Sequence, residues 1–326
     1  MKYCVYALLA AAAGLAQSNT AAYITDINGH RAEVTSSVTA RDGDRTELSQ
    51  SVNGRKIPLE QTETHISTKG PNQTVTETIV RKFDQTGQMI STERTVEDEQ
   101  KRGNGSTIRA TIYRSDTNGR LLEDERRVIE TQTQGTATTS DVVISRAGAT
   151  GSFDAVEKRK VVTTGDAKAT HENETVYRPS QSGQFFEAQR EVKDIQTAGN
   201  KTVENAATYQ LDYTGKMQLV SQTQSTTTKA SDGSEVTEMN IYERNSLGRP
   251  RDEQSGQKID EQRIIERTKG PNGAVIETTT IRRPTLADPT HLGEPRQVSE
   301  TICTGKCGLT PPAAPPVVPQ AQTATP

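Results

Sequence analysis

Four histidines, His30, His65, His171 and His291, and the carboxylate pairs Glu97–Asp98 and Asp124–Glu125 are the residues whose types could do chemistry. Two facing carboxylates can divide into acid and base when a cleft raises the pKa of one of them. Such a cleft needs apolar walls, and this chain has 4% aromatic residues and no tryptophan to bury a carboxyl or stack a sugar. The histidines stand at different phases of the chain's internal period, so nothing brings them to one point. DINGH (26–30) and DTNGR (116–120) echo part of a calcium loop. Each offers one aspartate, whereas calcium takes six to eight oxygens, several of them carboxylate. The threonine runs STTTK (225–229) and ETTTIRR (277–283) do not recur in the same columns, so they read as strand formers rather than a flat hydroxyl array. No catalytic, cofactor-binding or metal-binding residue is expected, and an exported hydrolase is the least favoured reading.

Cys303 and Cys307, in CTGKC, are the remaining reactive pair. Their meaning depends on where the chain works. Residues 1–18, MKYCVYALLAAAAGLAQS, have one lysine, an apolar run and a small-x-small site ending at Ala16, the layout of a secretory signal peptide. Cleavage after Ala16 sends the rest into an oxidising space, where a small disulfide loop is the default and a metal pair the alternative. No later stretch has the ~18–20 apolar residues of a transmembrane helix, so no membrane span is expected. The chain closes on LTPPAAPPVVPQAQTATP (309–326), a Pro/Ala tract that favours extended polyproline and builds no core. The organisation expected is a signal peptide at 1–16, a repeat domain at 17–300, a cysteine loop at 301–308 and a tail at 309–326.

What must position any of these residues is a repeat. Gly87, Gly119, Gly151, Gly183, Gly215 and Gly248 are 32 or 33 residues apart, with Gly29 and Gly54 before them. Three residues before these glycines stand Asp84, Asp116, Gly148, Ser180, Asp212 and Asn245. A type I turn wants Asp, Asn or Ser at its first position and glycine at its fourth, so D-x-x-G is turn chemistry. Tyr113, Tyr177, Tyr209 and Tyr242 precede the glycine by six residues, and Met89, Leu121, Phe153, Phe185 and Met217 follow it by two. The segments between turns are rich in Thr, Val and Ile and hold no helical stripe. A second Gly-containing turn falls near the middle of each unit, as in KGPN (69–72).

Each unit of about 32 residues therefore holds two strands, and the fold class expected is all-β, an antiparallel meander of eight or nine units. A one-coil solenoid would stack Glu93, Glu125 and Glu157 directly, which like charges disfavour. A transmembrane barrel would need an outward apolar band, which QLVSQTQSTTTKASDG (218–233) does not supply. Apolar residues fall sparsely on both faces, so an extended or coiled thin sheet is expected. The 39 basic and 42 acidic residues are interspersed, which excludes a basic nucleic-acid surface.

The pattern in YRSDTNGRL (113–121) and YQLDYTGKM (209–217) resembles the YD, or Rhs-type, repeat. That resemblance implies a strip of β-hairpins over about residues 22–280, and no activity is carried over from it. The function expected is a secreted, periplasmic or cell-surface scaffold or adhesion module. It would self-associate or take a protein partner along open strand edges. The alternative is a carbohydrate-binding module whose ligand face is Tyr113, Tyr177, Tyr209 and Tyr242.

Overall fold

The recurring turns and strand-forming segments build one continuous antiparallel sheet. A computed structural model describes residues 17–25, 30–42, 44–52, 55–148, 150–243, 259–285 and 291–305. The strands are β1 (Gln17–Thr25), β2 (Arg31–Asp42), β3 (Arg45–Val52), β4 (Arg55–Gly70), β5 (Gln73–Phe83) and β6 (Met89–Arg102). They continue as β7 (Gly105–Ser115), β8 (Leu121–Gln134), β9 (Ala137–Ala147), β10 (Phe153–Gly165), β11 (Ala169–Pro179) and β12 (Phe185–Ala198). The last are β13 (Lys201–Leu211), β14 (Met217–Lys229), β15 (Glu235–Glu243), β16 (Glu261–Lys269), β17 (Val275–Arg282) and β18 (Arg296–Gly305). Each strand pairs antiparallel with the next, and β18 returns to pair with β1, Ala21 facing Ile302 and Tyr23 facing Glu300. The meander is thus a closed barrel of 18 strands.

Closure corrects the expectation of an extended or coiled thin sheet. An open sheet leaves two rows of unpaired N–H and C=O groups, and joining the last strand to the first removes both. It also removes the open edges on which self-association and a partner's strand were to dock.

Two kinds of turn alternate at the two rims. At one rim the D-x-x-G sequence sets the geometry. The Gly119 N–H donates to the Asp116 carbonyl at 3.0 Å, and Gly119 has φ +77°, a left-handed conformation that glycine adopts without strain. Asp116 Oδ1 accepts the N–H groups of Asn118 and Arg120 at 2.8 and 2.9 Å. Gly87, Gly151, Gly183 and Gly215 hold the same place in their turns, and Gly248 lies outside the described residues. The opposite rim has tighter turns such as Gly103-Asn104 between Arg102 and Gly105. The D-x-x-G rim is the one away from the start of β1 and the end of β18.

Near the D-x-x-G rim the hairpins carry bulges that recur with the repeat. The register skips Asp124 between Ile112 and Tyr113, Ala188 between Val176 and Tyr177, and Val220 between Thr208 and Tyr209. A bulge bends and twists the strand locally, which curves a sheet toward closure.

Successive residues alternate sides and paired residues share one. Ala110, Ile112, Glu125, Ile144 and Val176 fall on one face by this register, and each is 6% exposed or less. The other face carries Arg126, Glu130, Asp141, Lys158, Arg190 and Asp194, which are exposed or half-buried. A closed sheet crowds side chains on its concave side and spreads them on its convex side, so the first face is the inner wall. At ~4.8 Å between strands and a tilt of about 40°, 18 strands close at roughly 35 Å between opposite backbones, too wide for side chains to fill.

Candidate functional site: the inner wall

The inner wall is built in bands set by the repeat. Just below the D-x-x-G rim, three successive units place the same ionic arrangement. Arg114 donates from Nε to Glu93 Oε2 at 3.0 Å and also pairs with Asp124. Glu125 accepts from Arg127 Nε at 2.5 Å on one oxygen and from Arg146 Nε at 3.3 Å on the other. Glu157 accepts from Arg159 Nε at 2.6 Å and faces Arg178 Nε at 3.8 Å. The Glu125 side chain is 3% exposed, so its two guanidinium partners replace the water it loses.

The collar is uneven around the ring. Over β6 to β11 it alternates carboxylate and guanidinium. Over β12 to β14 the matching positions are Gln189, Gln210 and Ser221, which are uncharged. Deeper in the wall, Lys193 Nζ stands 3.4 Å from Glu172 and 3.8 Å from Glu191, and Arg159 reaches Glu174 at 3.3 Å. Toward the opposite rim the wall becomes hydroxylic. Thr131 pairs with Ser140 at 3.0 Å, Thr133 with Thr138 at 3.2 Å, and Thr197 with Thr202 at 3.2 Å. The arrangement can line water with paired charges and hydroxyls.

The residues singled out in the sequence scatter accordingly. Glu97 and Asp98 point to opposite faces of β6, and Asp124 and Glu125 are each held by arginine. His171 meets the outer-wall Asp194, at 2.7 Å, and His65 lies on a separate strand, β4. Among the described residues no group of three or more His, Cys, Asp or Glu could hold a metal ion. Cys303, on β18, is disulfide-bonded, while Cys307 and the segments 1–16 and 309–326, expected to be leader and tail, lie outside the described residues. Asp116 is spent on its own turn, and residues 26–29 of DINGH are not described.

Tyr113, Tyr177, Tyr209 and Tyr242 stand on the outer wall, opposite in sense to the neighbouring Ile112, Val176, Thr208 and Ile241. Arginine or lysine packs beside several rings there: Arg94 over Tyr113 at 5.3 Å, Arg126 over Phe153 at 4.0 Å and Lys158 over Phe185 at 4.4 Å. The outer wall is also charged at this level: Arg81, at the tyrosine position of its own unit, pairs with Glu63 at 3.0 Å, and Arg94, across from Tyr113, reaches Glu77 at 2.6 Å.

The sequence reading missed the inner collar. Its signal was a constant offset: Glu93, Glu125 and Glu157 are each followed 21 residues later by Arg114, Arg146 and Arg178. That offset spans one hairpin and faces the two residues across neighbouring strands.

No family model and no curated protein matches the chain. Solved structures do resemble its fold. OmpF from Salmonella typhi, solved in complex with daunomycin, superposes with a TM-score of 0.52 at 7% identity, covering 89% of this chain and 96% of that one. A mutant of the Rh. blastica porin gives 0.48 at 6% identity, covering 89% and 97%, and an anion-selective porin from Comamonas acidovorans gives 0.46 at 9%, covering 89% and 96%. The likeness to OmpF is one of fold, the large closed antiparallel barrel. It overturns the resemblance to YD or Rhs repeats, because Y-x-x-D-x-x-G codes a hairpin turn and turns of that kind serve any meander. The secreted adhesion scaffold and the glycan-binding module fall with it, since both rested on open edges or an open sheet face. The expectation of no membrane span is corrected as well: it rested on the lack of a long apolar helix and of an outward apolar band in 218–233, whereas the chain closes into a barrel, the other architecture that can cross a bilayer. The closure of β18 on β1 and the likeness to OmpF together establish the fold as a porin-like closed β-barrel.

Proposed function

We propose that the chain is a barrel of the cell envelope, placed in the outer membrane, that encloses a water-filled passage for small polar solutes and performs no catalytic step. The observation that carries this is the closure of the ring by β1 and β18 around a wall of paired charges and hydroxyls. An 18-stranded ring leaves roughly 20 Å of open bore once side chains are subtracted. The polar lining keeps that bore wet, and the pairing of carboxylate with guanidinium keeps its net field small. The porin-like fold supports this reading, and so does the signal-peptide layout expected at residues 1–16.

Because the outer wall bears charged residues such as Glu130 and Asp141, insertion and conduction are measured separately. The full chain is reconstituted into lipid vesicles, insertion is read by co-flotation and protease protection, and conduction by planar-bilayer recording and sugar-driven vesicle swelling. Stepwise conductance with swelling in small sugars is the expected result. Inserted protein that neither conducts nor swells the vesicles rejects the passage.

A further inference from the structure

Three arginines hold equivalent places on the inner wall at the D-x-x-G mouth. Arg114, Arg146 and Arg178 each stand two residues before the first position of their turn, and their side chains are 46%, 59% and 60% exposed. Across the ladder from them, and so on the same face, are Leu122, Asp154 and Phe186. Leu122 and Phe186 are large apolar side chains left exposed to the bore. Carboxylates alternate with the arginines around this arc, Glu93 on β6, Asp124 on β8 and Asp154 on β10. The arc is not uniformly satisfied. Arg114 already holds both Glu93 and Asp124. Arg178 only approaches Glu157, at 3.8 Å, and the exposed Asp154 has no ion-pair partner among the described residues. Over β9 to β12 the mouth therefore offers guanidinium, a free carboxylate and an aromatic ring side by side.

An alternating arc has little net pull on an ion of one sign, because each attraction is offset by a neighbour of the opposite charge. A solute that carries both signs gains from both. We propose that this part of the mouth binds short zwitterionic peptides. The terminal carboxylate meets Arg178 and Arg146, the terminal ammonium meets Asp154, and an apolar side chain packs on Phe186. Guanidinium suits the carboxylate because its fork can donate two parallel hydrogen bonds. Neighbouring strands stand ~4.8 Å apart and an extended peptide advances about 3.5 Å per residue, so the ends of a dipeptide or tripeptide span one to two strand steps. The loose contact of Arg178 with Glu157 is an exposed pair, which a solute's carboxylate displaces at little cost. The inference rests on the reading of the barrel as a passage, since it names the solute that the mouth admits. Binding reads the mouth and conductance reads the bore, so either can fail alone.

The test is isothermal titration of the full chain in detergent with dileucine, N-acetyl-dileucine, dileucine amide and diglycine. Dileucine should bind saturably, and capping either end should weaken it by about tenfold, the loss of one charge-assisted contact. Asp154→Asn and Arg178→Gln should each weaken dileucine by about threefold. Asp154→Asn should cost nothing further with the N-acetyl peptide, and Arg178→Gln nothing further with the amide, because the partner group is already gone. Phe186→Ser should narrow the gap between dileucine and diglycine. Lys160→Gln, on the outer wall opposite Asp141, should leave every affinity unchanged. Far-UV circular dichroism melts confirm that each variant is folded. Absence of saturable binding overturns the proposal, as do equal affinities for capped and uncapped dileucine, or an unchanged affinity in both Asp154→Asn and Arg178→Gln. A chain that binds dileucine in this pattern without conducting upholds the mouth and rejects the passage; one that conducts without binding does the reverse.

Discussion

At the scale of the residue, the turn aspartates do more than punctuate the repeat. Asp84 Oδ1 accepts from the Thr86 hydroxyl at 2.7 Å and from the N–H groups of Thr86 and Gln88, and Asp212 does the same with Thr214 and Lys216. These hydrogen bonds, the threonine hydroxyl first, hold both carboxyls below the ordinary aspartate range. A carboxyl depressed in the folded chain stabilises it fully above the unfolded value of about 3.9, and that stability is lost as pH falls through the lower folded value. Melts at pH 6 and pH 3 should therefore show a drop that is smaller in Asp84→Asn combined with Asp212→Asn than in the wild type. An equal drop in the double variant means that the acid response comes from other carboxylates. This level was the most legible in the sequence, because Asp at the first turn position and glycine at the fourth act on backbone within a few residues.

At the scale of the element, the strands are less regular than the repeat suggests, and the irregularity fixes which side each residue faces. Val176 pairs with Gln189 and Tyr177 with Glu187, so Ala188 is the extra residue of a bulge. Deleting Ala188 leaves Val176–Gln189 and Tyr177–Glu187 as consecutive pairs with every side chain on its own wall, and removes the local bend and twist that curve this hairpin toward closure. The expected outcome is a melting temperature lower by several degrees, while Ala188→Ser, which keeps the length, melts close to the wild type. Equal melts for deletion and substitution would show that the bend of the bulge contributes little there. The sequence displayed Ile112 beside Tyr113 and hence two-faced strands. It did not display the bulges, since one extra residue within a polar strand changes no period strongly enough to be seen.

At the scale of the whole molecule, closure depends on a contact between distant parts of the chain. Arg31, at the start of β2, donates to Glu300 on β18 at 2.6 Å, 269 positions away, and the two strands joined by the closing ladder lie at the ends of the described barrel. The antiparallel meander was legible from local turns and strand formers. The ring was not, because nothing local says that the eighteenth strand meets the first. The same remoteness makes the ring testable. A chain ending at residue 295 lacks β18 and exposes the edges of β1 and β17, which should pair between molecules. Light scattering after size exclusion is expected to find oligomers or aggregates where the full chain runs as one species. A truncated chain that stays monomeric with an unchanged melt would show that closure contributes little.

The barrel is assembled from hairpins of nearly equal length, and a circle made of equal staves has a gauge that only whole staves can change. Duplicating one in-frame unit of 32 residues adds two strands, about 12 Å of circumference and roughly 4 Å of diameter. Losing one narrows the bore by the same step. Copy number in the gene is then a calibre setting, and relatives of this chain that differ by a unit would sieve solutes at discrete sizes rather than along a continuum.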